Sequence, residues 1–198
     1  MSSLCNLLIN GQVLTVDGDR KLLDILRNDC GLKSVKDGCS EGACGTCTIL
    51  ADGRPVKACV QKASRFEGKP ILTVEGLSGR EKEIFVYAFG EAGAVQCGFC
   101  IPGMVICAKA LLDQNKNPSR DEIKYALRNN ICRCTGYKKI IDAVGIAAKL
   151  IRGDLPVPKA EEISGVGQRA HRIDVREKVL GTGVYTDDMT LPGMLYGG

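Results

Sequence analysis

Eight of the eleven cysteines fall into two sets of four, and no other feature of the chain constrains its fold as tightly. The stretch "CSEGACGTC" places Cys39, Cys44 and Cys47 in a C-x4-C-x2-C run, and Cys59 follows beyond a predicted turn. Thiols this closely spaced require a backbone that curls round a shared centre. Gly38, Gly42 and Gly45 leave room for that curl and for N–H groups aimed at sulfur. The spacing is that of a plant-type [2Fe–2S] site, in which four thiolates hold two irons, with Cys59 as the fourth ligand.

The second set has another rhythm. Cys97 and Cys100 form "CGFC", and Cys132 and Cys134 form "CRC", each between two predicted helices. Two such loops at one end of a helical bundle can meet and offer four thiolates again. Structural zinc is the alternative, since C-x2-C pairs serve it well, although C-x-C leaves little slack for a tetrahedral site. A thioredoxin-like reading of "CGFC" leaves "CRC" without a role. Cys5, Cys30 and Cys107 lie outside both sets and read as small buried hydrophobes. An odd number of thiols fits a disulfide framework poorly, and clustered cysteines point to metal binding in the cytoplasm.

The periodicity divides the chain. Residues 4–16 read as two strands around Asn10-Gly11, followed by a short helix carrying Leu22, Leu23, Ile25 and Leu26. A second hairpin turns at Asp52-Gly53, and the run 70–77 closes a compact mixed sheet, so residues 1–77 form an α+β unit. From residue 81 the period becomes helical. Apolar stripes on 84–91, on 104–112, after Ser119 with its capping partner Glu122, and on 137–151 predict a four-helix bundle over 81–152. Residues 153–164, rich in Pro and charge, read as a linker.

Composition excludes several classes of function. The formal charge is +4 with no basic face, which gives no reason to expect nucleic acid, and no segment is long and apolar enough to span a membrane. The amino terminus has no signal-peptide pattern. His171, the one histidine, reads as a surface residue. "GVGQRA" at 165–170 imitates a dinucleotide fingerprint but follows a Pro-rich stretch where a strand is needed, and "EGKP" is no P-loop.

The motifs "GCSEGACGTCTIL", "QCGFCIPGM" and "ICRCTGYKKIIDAV" together resemble the iron–sulfur regions of the molybdenum hydroxylases, the xanthine dehydrogenase and aldehyde oxidoreductase family. The likeness implies a ferredoxin-like β-grasp domain followed by a four-helix bundle, each with one [2Fe–2S] cluster. It implies that Cys39, Cys44, Cys47 and Cys59 hold the outer cluster, and that Cys97, Cys100, Cys132 and Cys134 hold the one nearer molybdenum. Gln96 and Cys134 are then the positions beside the pterin of the molybdenum cofactor. The implied partners are a molybdopterin-binding catalytic subunit and an FAD subunit or an external acceptor. Ile101 stands where the family often has Thr.

Residues 165–198 resemble the opening of the family's molybdenum-binding subunit, without the glutamate that acts there as base. The chain is therefore expected to be the electron-transfer part of an oxidoreductase, with no activity towards substrate on its own. A stand-alone two-cluster carrier or redox sensor is the rival reading. Val179, Val184, Tyr185, Leu191, Met194, Leu195 and Tyr196 are too few to bury one another, which predicts that the tail docks as strands on the remainder of a catalytic subunit.

Overall fold

The computed structural model describes residues 4–157, 167, 170–195 and 197. Its first half is a five-stranded sheet in the order β2-β1-β5-β3-β4. Strands β1 (Leu4–Ile9) and β2 (Gln12–Asp17) form the expected hairpin, and Asn10 and Gly11 both adopt positive φ at its turn. β3 (Thr48–Ala51) and β4 (Arg54–Lys57) form the second hairpin, turning at Asp52-Gly53 in the same way. β5 (Pro70–Leu72) lies between them, parallel to β1 and antiparallel to β3. The predicted short helix is α1 (Leu22–Asp24), which widens into a π turn over Ile25–Asp29.

The run 70–77 is shorter as a strand than its β-branched residues suggest. The side chain of Asn10 accepts the Thr73 N–H at 3.0 Å and donates to Thr73 Oγ1, also at 3.0 Å. Glu75 meanwhile accepts from Thr73 Oγ1 and from both N–H and Oγ of Ser34. These bonds take the groups that a longer ladder needs, and Val74–Gly76 becomes a 3-10 turn.

Four helices follow: α2 (Gly79–Glu91), α3 (Ile101–Gln114), α4 (Arg120–Leu127) and α5 (Lys138–Arg152). Ser119 and Glu122 form the expected capping box, and Ser78 with Glu81 forms a second one that starts α2. α3 begins at Ile101, before Pro102-Gly103, because Pro is tolerated in a helix's first turn. It is buried nearly all round.

Capping α2 makes a testable contribution. Burial raises the Glu81 carboxyl, but bonds from Ser78 and Lys109 outweigh it and hold the carboxyl below the usual glutamate value. Its stabilisation is therefore complete above the unfolded glutamate pKa and is lost as pH falls through the lower folded one. Ser78→Ala is expected to cost about 1 kcal/mol in urea unfolding at neutral pH. The difference from the parent should shrink in acid.

Two hydrophobic cores share one strand. Ile49 belongs to the sheet's own core with Leu7, Ile25, Leu26 and Ile71, while its neighbour Leu50 points the other way into the helical core. A strand buried on both faces explains why "TILA" shows no polar alternation.

The tail does not begin as the expected strand. Residues 175–180 form a helix, α6 (Val175–Leu180), and Val175 and Val179 are buried in this chain's own helical core. Two valines four positions apart lie on one face of a helix and share a buried stripe, which needs no sheet partner. Val184, Met189, Leu191 and Leu195 remain exposed. Tyr196 lies outside the described residues, as do residues 158–164 of the predicted linker and most of "GVGQRA". His171 is half-buried: it bonds Glu91 at 3.1 Å and packs against Tyr87.

Candidate functional site

The first four thiols lie where the loop 38–47 meets the end of β4. Cys39 and Cys44 are half-buried, and Cys47 and Cys59 are each 2% exposed. The loop is shaped by positive φ at Ser40, Gly42 and Gly45. Backbone N–H groups of Cys44 and Glu41 point at Cys39 Sγ from 3.4 and 3.5 Å and lower that thiol to about 6. Lys57, at the end of β4, donates from Nζ to the carbonyls of Gly42 and Ala43 at 2.6 and 3.2 Å. Thr46 Oγ1 lies 3.2 Å from Cys44 Sγ and donates to the Lys36 carbonyl.

The second four lie on two loops between helices. Cys100 precedes the first turn of α3, Cys97 lies just before it, and Cys132 and Cys134 occupy the loop between α4 and α5. Cys100 and Cys132 are buried, whereas Cys97 and Cys134 are exposed, and Gln96 is exposed beside them. Tyr137, in the left-handed region at φ 68°, accepts the Cys132 N–H at 2.8 Å and donates to the Asn130 carbonyl. Thr135 Oγ1 lies 3.1 Å from Cys132 Sγ.

Within each set the thiols gather two by two. Cys39 interacts with Cys44 and Cys47 with Cys59, while Cys100 interacts with Cys132 and Cys97 with Cys134. Among the described residues no three such side chains form the group a single metal ion needs. Burial pushes Cys47 up to about 12 and raises Cys100 as well, so these thiols stay neutral until a cation claims them, and loading releases protons. Cys5 and Cys107 are buried and Cys30 is half-buried; all eleven thiols are free.

The feature that sequence reading missed is the join between the two sets. Ile131 N–H donates to the Cys44 carbonyl at 2.8 Å, so an outer-set residue is bonded to the immediate neighbour of Cys132. Asn130, 2% exposed, donates from Nδ2 to the Gly45 carbonyl at 2.9 Å and accepts from Cys107 Sγ at 3.0 Å. The backbones nearly touch: a Cβ on Gly45 would lie 2.3 Å from the Asn129 carbonyl oxygen, and one on Gly103 would lie 2.7 Å from the Gly45 carbonyl oxygen. Glycines at 45 and 103 are the only signal in the sequence, and many glycines dilute it.

Residues 21–84 match the model of a 2Fe-2S iron-sulfur cluster binding domain, and residues 73–145 match that of a [2Fe-2S] binding domain. The small FeS subunit of nicotinate dehydrogenase from Eubacterium barkeri is 48% identical over 147 residues, covering 73% of this chain and 94% of that subunit. The chain belongs to the molybdenum hydroxylase family, as an iron–sulfur component. It is the electron-transfer part of an oxidoreductase and takes two [2Fe–2S] clusters, one for each matched domain.

Solved structures of the family add one distinction. The aldehyde oxidoreductase of Desulfovibrio desulfuricans superposes with a TM-score of 0.86 at 38% identity over 93% of this chain, which spans 22% of that enzyme's length. A chain of quinoline 2-oxidoreductase from Pseudomonas putida gives 0.69 at 42% identity, covering 78% of this chain and 99% of its own length. The extra coverage in the first case takes in part of the tail. Among the described residues no helix is long and apolar enough to cross a membrane.

Proposed function

We propose that Cys39, Cys44, Cys47 and Cys59 ligate an outer [2Fe–2S] cluster, and that Cys97, Cys100, Cys132 and Cys134 ligate an inner one. The observation that carries this is the spacing of the eight cysteines, four within each of the two stretches that match a [2Fe-2S] domain. When bound, each cluster supplies a one-electron carrier. The chain's own residues exclude water from Cys47, Cys59, Cys100 and Cys132, aim backbone N–H groups at Cys39, and join the two ligand loops through Ile131 and Asn130. Hydrogen bonds to ligand sulfurs stabilise the more negative state, and the differing burial of the two sets gives them different potentials.

The exposed edge formed by Gln96, Cys97 and Cys134 is the side for a molybdopterin-binding catalytic partner, whose pterin would lie beside Gln96 and Cys134. The outer loop faces an FAD subunit or an external acceptor. Residues 1–77 and 81–152 are the two cluster domains, and 165–198 correspond to the opening of the catalytic part. A cytoplasmic setting suits thiols that must stay reduced until they are loaded.

The test is anaerobic reconstitution of the full chain with iron and sulfide, followed by metal analysis and an EPR-monitored redox titration. About four irons per chain and two [2Fe–2S] signals with separate midpoints are expected. A colourless protein that takes zinc and no iron would refute the ligand assignment.

A further inference from the structure

The tail returns to the inner-set loop and fastens it at several points. Lys178 lays its stem over Gly98, where a Cβ would come 2.6 Å from its Cγ, and donates from Nζ to the Gln96 carbonyl at 3.1 Å. Tyr185 donates from its hydroxyl to the Cys97 carbonyl at 2.8 Å, and its ring stands edge-on to Phe99 with centroids 5.2 Å apart. Residues 96–99 are thus held from one side by α6 and the segment that follows it.

The far end of the same segment is fastened to the other domain. Gly181 passes so close to Ser34 that a Cβ would meet its Cα at 2.4 Å. Asp188 accepts from Arg27 Nη2 at 2.7 Å and from Lys36 Nζ at 3.0 Å, with the side chains of Asp188 and Lys36 only 8% and 1% exposed. Lys36 also lies 4.7 Å from the centre of the Tyr185 ring. A buried ammonium needs a counter-charge, and Asp188 supplies it from the tail. Asp188 and Tyr185 are further tied by a 3.3 Å bond from the Tyr185 N–H.

We propose that residues 175–188 are a strap that holds the inner-cluster ligand loop in place, with Asp188 as its latch and Tyr185 as a positioning residue acting through the Cys97 carbonyl. This rests on the assignment of Cys97 to the inner cluster. The hydroxyl of Tyr185 offsets the negative end of that carbonyl, which favours the more negative, reduced state of whatever Cys97 ligates. The strap further makes the two cluster domains and the tail one mechanical unit, so that a catalytic part continuing from or seated on the tail keeps its register to Cys97.

The full chain reconstituted with iron and sulfide is compared with Tyr185→Phe, Asp188→Asn and, as a control on an exposed strap residue, Glu177→Gln. Tyr185→Phe is expected to keep the parent's iron content and to lower the midpoint potential of one cluster alone. Asp188→Asn strips the buried Lys36 of its counter-ion, and trypsin cleavage after Lys178, followed by mass spectrometry, is expected to quicken about a hundredfold. Glu177→Gln should match the parent in both readouts. Iron-replete variants with both potentials unmoved and cleavage within about twofold of the parent would overturn the strap alone. Equal shifts in both potentials would overturn it too, as general loosening. A parent chain that takes up no iron would overturn the strap together with the ligand assignment beneath it.

Discussion

Exchanging Cys97 for serine is expected to take the iron content of the reconstituted chain from about four to about two per molecule and to erase one of two EPR signals. Under the proposed assignment Cys97, which is exposed, is one of four inner ligands, so its loss leaves the inner site with three thiolates while the outer set is untouched. A serine hydroxyl is far less acidic than a thiol and replaces it poorly as a ligand. The surviving signal should keep the parent's midpoint, because the bonds that join the outer loop to the inner one, from Ile131 N–H and Asn130 Nδ2, end on the carbonyls of Cys44 and Gly45 and not on their side chains. In the assembled enzyme, reoxidation of the catalytic centre should stall. Cys47→Ser is the reciprocal experiment: it removes the other signal, and because Cys47 is buried in the sheet's core it should also lower stability. Full turnover by Cys97→Ser with one signal missing would show that electrons bypass the inner set.

The second large effect is structural. Gly45→Ala should destabilise the chain by about 4 kcal/mol, through strain at a positive φ and the loss of buried hydrogen bonds between the two loops. Gly45 has φ 75°, and a Cβ there would lie 2.3 Å from a carbonyl oxygen of the facing backbone. Neither side can swing away as a flexible side chain would. Relief requires the loops to part, which breaks the bonds from Ile131 N–H to Cys44 and from Asn130 Nδ2 to Gly45.

Gly53 separates the two causes, because it has φ 70° with nothing within 4 Å of the place a Cβ would take. Gly53→Ala therefore reports the backbone strain alone, about 1 kcal/mol. Urea unfolding of both variants gives the difference, and any magnetic interaction between the two reduced clusters should weaken only in Gly45→Ala. Equal costs at the two positions would mean that the loops do not press on each other.

The elements legible in the sequence are those whose signal and consequence lie close together along the chain. Asn10-Gly11 and Asp52-Gly53 each contain the residues that tolerate positive φ, and each forms a hairpin turn. Ser119 and Glu122 cap α4 across one helical turn. The cysteine spacings likewise announce two metal sites, because thiols that share a centre must be close in at least one loop. Where a distant group competes, local reading fails. β5 stops at Leu72 because Asn10, at the turn of another hairpin, takes the Thr73 N–H.

By itself, then, the sequence determined the family, the two sets of four thiols, the hairpins and the helical bundle, since each is written in neighbouring residues or in a period. Only the tertiary structure decided that Ile131 and Asn130 bond the outer loop, and that the tail folds back onto the Cys97 carbonyl. Those outcomes depend on packing between segments far apart in the chain. A glycine at 45, a buried lysine at 36 and an aspartate at 188 reveal their purpose only once the fold places them against their partners.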